Sequence, residues 1–124
     1  MPVTKSPSAK PTRSGMKTTK VSLVRAGYGM TRADFRRLIG VSERRLADLE
    51  SGKASPTESV RRRFTEADRL RRELATVIDE DAIGPWMREP NDAFDGLKPL
   101  EVLERGEADR LWRMIYELKS GNPG

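Results

Sequence analysis

The chain has 124 residues and a net charge of +5, and charged and hydrophobic residues each make up 35% of it. It lacks cysteine and histidine, which excludes disulfides, thiolate or imidazole catalysis, and zinc sites of the usual ligand types. No apolar run approaches the roughly 20 residues of a membrane span, and the basic N-terminus lacks the apolar segment of a secretory signal. We therefore expect a small cytoplasmic protein with a modest core and no membrane contact.

Charge is distributed unevenly along the chain. Residues 1–29 hold six Lys/Arg and no Asp/Glu, residues 30–79 hold twelve and nine, and residues 80–124 hold six and ten. A basic front and an acidic back predict two partners of opposite charge. The alternative, a solvated surface with uneven charge, stays open. We take the same three ranges as the predicted units of the chain.

The first unit, residues 1–29, is predicted to be a basic and largely disordered tail. Residues 1–20 are rich in Pro, Ser, Thr and Lys and offer almost nothing to bury. Residues 21–26, VSLVRA, form a short apolar patch that suits a helix or an edge element. The Gly27-Tyr28-Gly29 sequence is then expected to break it.

The second unit begins with the most informative pattern of the chain, TRADFRRLIGVSERRLADLESGKASP, at residues 31–56. Apolar spacing predicts one helix over 32–39 and a second over about 43–50. Gly40 supplies the left-handed residue that a sharp turn needs, and Ser42 is a good N-cap for the second helix. This is the outline of a helix-turn-helix, whose second helix enters the DNA major groove.

Residues near the start of such a second helix face the base edges, where arginine pairs with guanine and glutamate accepts from cytosine. The residues predicted to face bases are Glu43, Arg44, Ala47 and Asp48. Those predicted to contact phosphates, which position the protein without reading sequence, are Ser42, Arg45 and Lys53. One residue departs from the usual motif: Arg36 stands where a small residue normally lets the two helices approach. An amphipathic hairpin with an ordinary charged face therefore stays open as an alternative.

A longer helix is predicted over about 58–78, opened by Pro56 and Thr57. Its arginines are expected to lie on a solvated face, paired with carboxylates three or four residues away, and contact with DNA stays open as the less favoured alternative. In the third unit, Gly and Pro residues leave room for short helices only, over about 82–88 and 99–104. The last clear helix spans 107–118, with Ala108, Leu111, Ile115 and Leu118 as its core stripe. The fold is predicted to be all-α, with no strand pattern and no internal repeat.

The C-terminal third carries a recognisable series of motifs. They are Trp86, Pro90-Asn91, Phe94-Asp95-Gly96, the Pro99–Leu103 segment and a final helix within Glu107–Gly121. This series resembles the toxin-binding domain of the Xre/MbcA/ParS antitoxins. In that family the domain follows an Xre-type helix-turn-helix, which is the order seen here.

The resemblance implies an antitoxin of a type II toxin–antitoxin pair. Its usual toxin is a RES-domain enzyme that consumes NAD⁺; the antitoxin obstructs the toxin's active site and represses the shared operon by binding operator DNA. Residues 30–79 would then be the DNA-binding and dimerisation domain, and residues 80–124 the toxin-binding domain. The residues expected to contact toxin are Trp86, Asn91, Phe94, Trp112, Tyr116, Lys119 and Gly121.

The sequence also bears on other function classes. Paired carboxylates occur, but they lie in polar, loop-like sequence without a phosphate-binding loop, so we expect no enzyme, no catalytic residue, no metal and no cofactor. A homodimer is expected, because one small helix-turn-helix reads little DNA. A transcription regulator without a toxin, and a protein-binding adaptor that does not bind DNA, remain alternatives.

Overall fold

A computed structural model describes residues 13–121 of the chain, with side chains from residue 20 onward. Within that range every regular element is a helix and there is no β-strand, which confirms the predicted all-α fold. The helices are α1 (Arg13–Tyr28), α2 (Arg32–Ile39), α3 (Glu43–Ser51), α4 (Glu58–Leu74), α5 (Glu80–Met87), α6 (Pro99–Glu104) and α7 (Ala108–Lys119), and a 3-10 helix spans Asp92–Phe94.

Helix α1 corrects the prediction of a largely disordered tail over residues 1–29. It continues through Gly27 and Tyr28, and only Gly29, with φ of 68°, ends it. Tyr28 is fully buried, and its hydroxyl donates a hydrogen bond of 2.7 Å to the Ala67 carbonyl of α4. Tertiary packing of this tyrosine and of Val24 therefore stabilises the helix. The first twelve residues of the predicted tail lie outside the described residues.

Helices α2 and α3 begin and end where the sequence pattern predicts, to within one residue. The Thr31 and Ser42 hydroxyls each accept a bond from the backbone N–H three residues later, at 3.2 and 3.0 Å. Gly40 has φ of 81° and donates its N–H to the Arg36 carbonyl at 2.7 Å. The apolar residues buried by these two helices are Phe35, Leu38, Ile39, Leu46 and Leu49.

Helix α4 is shorter than predicted, because it ends at Leu74 instead of continuing to residue 78. The Thr76 hydroxyl donates to the Glu73 carbonyl at 2.6 Å, a local bond that competes with helix continuation. Val77 and Ile78 then pack against the core from a turn. Helix α5 starts at Glu80, two residues earlier than predicted.

One cluster of buried side chains runs through all three predicted units and crosses residue 79 without a break. Tyr28 and Leu74 belong to it together with residues from every later helix of the C-terminal part, including Ile83, Leu100 and Leu111. The predicted boundary at residue 79 is therefore not a break in the core. Among the described residues, no helix combines the length and apolar character needed to cross a membrane.

Candidate functional surfaces

The predicted DNA-contact residues lie on and beside the outer side of α3. Leu46 and Leu49 turn inward and anchor the helix in the core, whereas the side chains at its start remain in solvent. The exposed members of the set are Ser42, Glu43, Arg44, Arg45 and Lys53, and the half-buried members are Ala47 and Asp48. The structure thus brings all seven residues to one helix and the loop that follows it.

Glu50, which the sequence pattern did not single out, fixes α3 from its inner side. Its side chain is 4% exposed and accepts bonds from Arg25 Nε at 2.6 Å, Arg25 Nη2 at 3.2 Å and Arg32 Nε at 2.8 Å. Burial raises the pKa of this carboxyl, but the hydrogen bonds and charges of the two arginines outweigh burial and leave the pKa below its ordinary value. One carboxylate therefore ties α1, the start of α2 and α3 together.

Arg36, the residue that departs from the usual motif, is accommodated at the turn between α2 and α3. It is half-buried, and its Nη1 donates a bond of 3.4 Å to the Val41 carbonyl. The long stem lies along the protein while the guanidinium reaches the turn backbone. The arginine therefore contacts the turn without displacing α3 from the core.

The arginines of α4 divide into two groups. In the second half of the helix, Arg71 and Arg72 pair with Asp68, at 3.8 and 3.1 Å, and Arg69 lies 5.5 Å over the Trp112 ring. In the first half, residues 61–63 are all exposed arginines and form no ion pair with any described carboxylate. The expected pairing with nearby carboxylates thus holds for the second half of α4 only.

Phe94 must be removed from the predicted toxin contacts. It is 1% exposed, with the Trp86 ring against it edge-on at 6.3 Å and the Arg110 guanidinium 5.8 Å from its ring centre. Asn91 accepts a bond from the Ala93 N–H at 2.9 Å and so caps the 3-10 helix that carries Phe94. Trp86 is half-buried, and this motif mainly builds the corner between α5 and α6.

The outer face of α7 holds the remaining predicted toxin contacts. Leu111 and Ile115 are buried, Trp112 is half-buried, and Tyr116 is 79% exposed. Lys119 Nζ donates to Glu73 at 2.7 Å, and Gly121, with φ of 74°, lies exposed just beyond the helix. Leu118 was predicted to be core but is 52% exposed, because it lies one turn beyond the last buried position of α7. We call Trp112, Tyr116 and Lys119, which are spaced three and four residues apart and so lie on one side of the helix, the α7 face; Leu118 lies on the opposite flank.

A bidentate salt bridge joins α2, which precedes α3, to α6, which precedes α7. Arg37 of α2 donates to both carboxylate oxygens of Glu104 on α6, at 2.7 and 3.2 Å. This bond lowers the pKa of the Glu104 carboxyl and raises the pKa of the Arg37 guanidinium. The two predicted surfaces are thus held on one body. No group of three or more metal-ligating side chains occurs among residues whose side chains are described.

Comparison with known proteins identifies the C-terminal part. Residues 64–114 match the Xre/MbcA/ParS family, described as the antitoxin C-terminal toxin-binding domain. The mycobacterial cidal antitoxins MbcA of Mycobacterium tuberculosis and Mycobacterium bovis are each 26% identical over 93 residues, which is 75% of this chain and 82% of theirs. The matched range begins within α4, so that helix belongs to both parts.

The fold agrees with the sequence match. The crystal structure of the M. tuberculosis MbcT–MbcA toxin–antitoxin complex contains a chain that superposes with a TM-score of 0.70 at 25% identity, over 84% of this chain and 94% of that one. The family consists of antitoxins, which agrees with the expectation that the chain is not an enzyme. Residues 64–114 thus match the toxin-binding domain of the Xre/MbcA/ParS antitoxins, and the chain as a whole resembles the antitoxin MbcA in sequence and a chain of the MbcT–MbcA complex in fold.

Proposed function

We propose that this antitoxin binds and neutralises a cognate toxin through its C-terminal part. The observation that carries the proposal is the match of residues 64–114 to the toxin-binding domain, on a fold like that of MbcA in its complex with MbcT. The α7 face supports it, because a large aromatic side chain in solvent, Tyr116, suits a partner surface. We include in this surface Gly121 and, at the corner of α5, Trp86 and Asn91.

The toxin is proposed to be a RES-domain enzyme that consumes NAD⁺, as the family resemblance implies, and the pair is proposed to act in the cytoplasm. Co-expression of the chain with the product of the neighbouring gene, followed by pull-down and a growth-rescue assay, tests this proposal. Rescue together with NAD⁺ loss in cells that express the toxin alone supports it. A chain that neither captures the neighbouring product nor restores growth overturns it.

We further propose that the chain binds operator DNA as a homodimer and represses its own operon. The outer residues of α3 carry this proposal, since their side chains stay in solvent while Glu50 and the buried leucines hold the helix in place. A dimer doubles the short site that one such helix reads. Binding of the purified chain to the duplex upstream of its operon, compared with a random duplex at matched salt, tests this. Equal affinity for both duplexes would contradict the proposed repressor function without affecting the proposal that the chain binds a toxin.

A further inference from the structure

Two arginines converge on the loop between α3 and α4. Arg45 of α3 donates its Nη2 to the Ser55 carbonyl at 3.4 Å, and Arg61 of α4 donates its Nη2 to the Pro56 carbonyl at 3.5 Å. The two carbonyls belong to consecutive residues, so both guanidinium groups lie against one short segment of backbone. Lys53 is exposed in the same loop.

Neither arginine uses the carboxylate that its own helix offers. Asp48 lies three residues after Arg45 and Glu58 lies three residues before Arg61, yet neither arginine forms an ion pair with any described carboxylate. Each guanidinium carries five N–H donors, and a single long bond to a carbonyl leaves most of them free. Other arginines behave differently: Arg37, Arg72 and Arg110 all hold carboxylates within 3.2 Å.

Like charges repel at short range, so converging cations without counter-charges are most stable beside an anion. A phosphate accepts N–H groups from two directions at once, and arginine forks match its oxygens. The place also suits DNA, because the loop directly follows α3, whose outer residues are proposed to face the bases. A backbone phosphate is therefore the occupant that charge and continuity favour.

We propose that Arg45 and Arg61 hold one DNA backbone phosphate between them, across the loop from Gly52 to Thr57, and that the DNA-binding surface thus extends onto α4. The proposal rests on the proposed binding of operator DNA and names a contact, Arg61, that the helix-turn-helix pattern did not include. Lys53 adds positive charge beside the same phosphate.

The test is the salt dependence of DNA binding by the full chain. The logarithm of affinity falls with the logarithm of salt concentration by about 0.9 per phosphate neutralised. We expect Arg61→Ala to reduce this slope by about 0.9 per protomer, and so by about 1.8 for the proposed dimer, on the upstream duplex and on a random duplex of equal length, since phosphate contacts carry no sequence information. Arg45→Ala should do the same. The double variant should lose little more slope than either single variant, because both arginines serve one phosphate.

The matched control is Arg72→Ala, which removes the same charge from the same helix at an arginine already paired with Asp68. Its slope should equal that of the wild type, and circular dichroism should show all variants folded. An unchanged slope for Arg61→Ala, or an equal drop for Arg72→Ala, overturns the proposal. So does a loss of toxin affinity in Arg61→Ala at an unchanged DNA slope, which would place the anion on the toxin. Wild-type chain that binds neither duplex would instead refute the proposed DNA binding itself.

Discussion

Gly84 of α5 lies directly against the backbone of Tyr28 at the end of α1. A methyl carbon added at Gly84 would stand 2.6 Å from the Tyr28 carbonyl oxygen and 3.1 Å from the Gly29 carbonyl oxygen. Both obstacles are backbone atoms, which cannot move aside as a side chain can. The N-terminal helix and the family's C-terminal domain thus meet at a contact that admits only glycine.

Gly84→Ala should therefore destabilise the fold by about 1–3 kcal/mol, the usual cost of overpacking a close contact. The matched control is Gly27→Ala in α1, where the added methyl group meets only the side chain of Arg71. That side chain can rearrange, so the loss should be smaller. Urea unfolding of both variants measures the difference, and equal stabilities would show that the contact between α5 and α1 is loose.

A fragment of residues 80–124 should fail to fold on its own. Its buried residues, such as Ile83 and Leu111, belong to a cluster that also contains Tyr28 and Leu74. The isolated fragment would expose that apolar surface to water, which removes the main driving force for its folding. Circular dichroism of the fragment should show little helix, whereas residues 13–121 should fold. A cooperative thermal transition in the short fragment would contradict this expectation.

Glu50→Gln should lower the free energy of unfolding at neutral pH by at most about 3 kcal/mol, which is the low end of the range for breaking a buried ion pair. We expect the low end because one partner, Arg32, keeps 46% of its side chain in solvent. The pKa of Glu50 lies below its ordinary value of 4.5, so its contribution is complete above that value and is lost as pH falls through the native pKa. The difference between wild type and variant should accordingly shrink as the pH is lowered below 4.5.

Denaturant titrations at several pH values measure this difference for Glu50. Glu66→Gln, a change at an exposed and unpaired carboxylate of α4, is the control and should stay within about 0.5 kcal/mol of wild type. A gap between wild type and Glu50→Gln that stays constant from neutral to acidic pH would mean that shape, and not charge, explains the role of this residue.

Arg44→Ala should weaken binding to the upstream duplex by about 1–3 kcal/mol, the range for loss of a bidentate base contact. The side chain is exposed at the start of α3, so the fold should be unaffected. Arg105→Ala, at an exposed arginine outside α3, controls for loss of charge. Fluorescence anisotropy at one salt concentration measures both, and equal affinities of Arg44→Ala and wild type would rule out the base contact.

Tyr116→Ala should weaken the toxin complex by about 2 kcal/mol, the loss typical of a hot-spot aromatic, while stability stays unchanged because the side chain is 79% exposed. Trp112→Ala should lower both affinity and stability, since it also removes the stack under Arg69. Glu117→Ala, at the exposed neighbour of Tyr116, is the control. Calorimetric titration with toxin decides it: full affinity in Tyr116→Ala would exclude this part of α7 from the interface.

Local signals in the sequence predicted most of the helices, because caps and turn glycines act over a few residues. Thr31, Gly40 and Ser42 play the roles that their residue types suggest, and Pro99 opens α6 as predicted. The sequence allows a helix over residues 21–26 but predicts a break at Gly27. The helix instead continues through Gly27 and Tyr28, because Tyr28 is buried against α4, a tertiary contact that local patterns do not show.

The candidate surfaces show the same contrast between local signals, which the sequence displays, and tertiary contacts, which it does not. Exposed positions on α3 can be deduced from helical spacing, whereas Glu50 and its partners lie 25 and 18 residues apart in sequence and meet only in the fold. Phe94 was misassigned because an aromatic residue in a motif looks the same whether it faces a partner or the core. Spacing correctly predicts the pairs of Arg71 and Arg72 with Asp68 on their own helix, but residues 61–63 have carboxylates at the same spacing and do not pair with them.

The shared core constrains how related antitoxins can acquire new partners. A C-terminal segment exchanged at residue 79 would arrive without the Tyr28 backbone that fits Gly84 and without the Arg37 that holds Glu104. Exchange of that whole segment between relatives should therefore lower the stability of the fold unless α1, α2 and α4 are exchanged together with it. Substitutions at solvent positions such as Tyr116 carry no such penalty. We expect partner choice in this lineage to drift by surface replacement and not by recombination of modules.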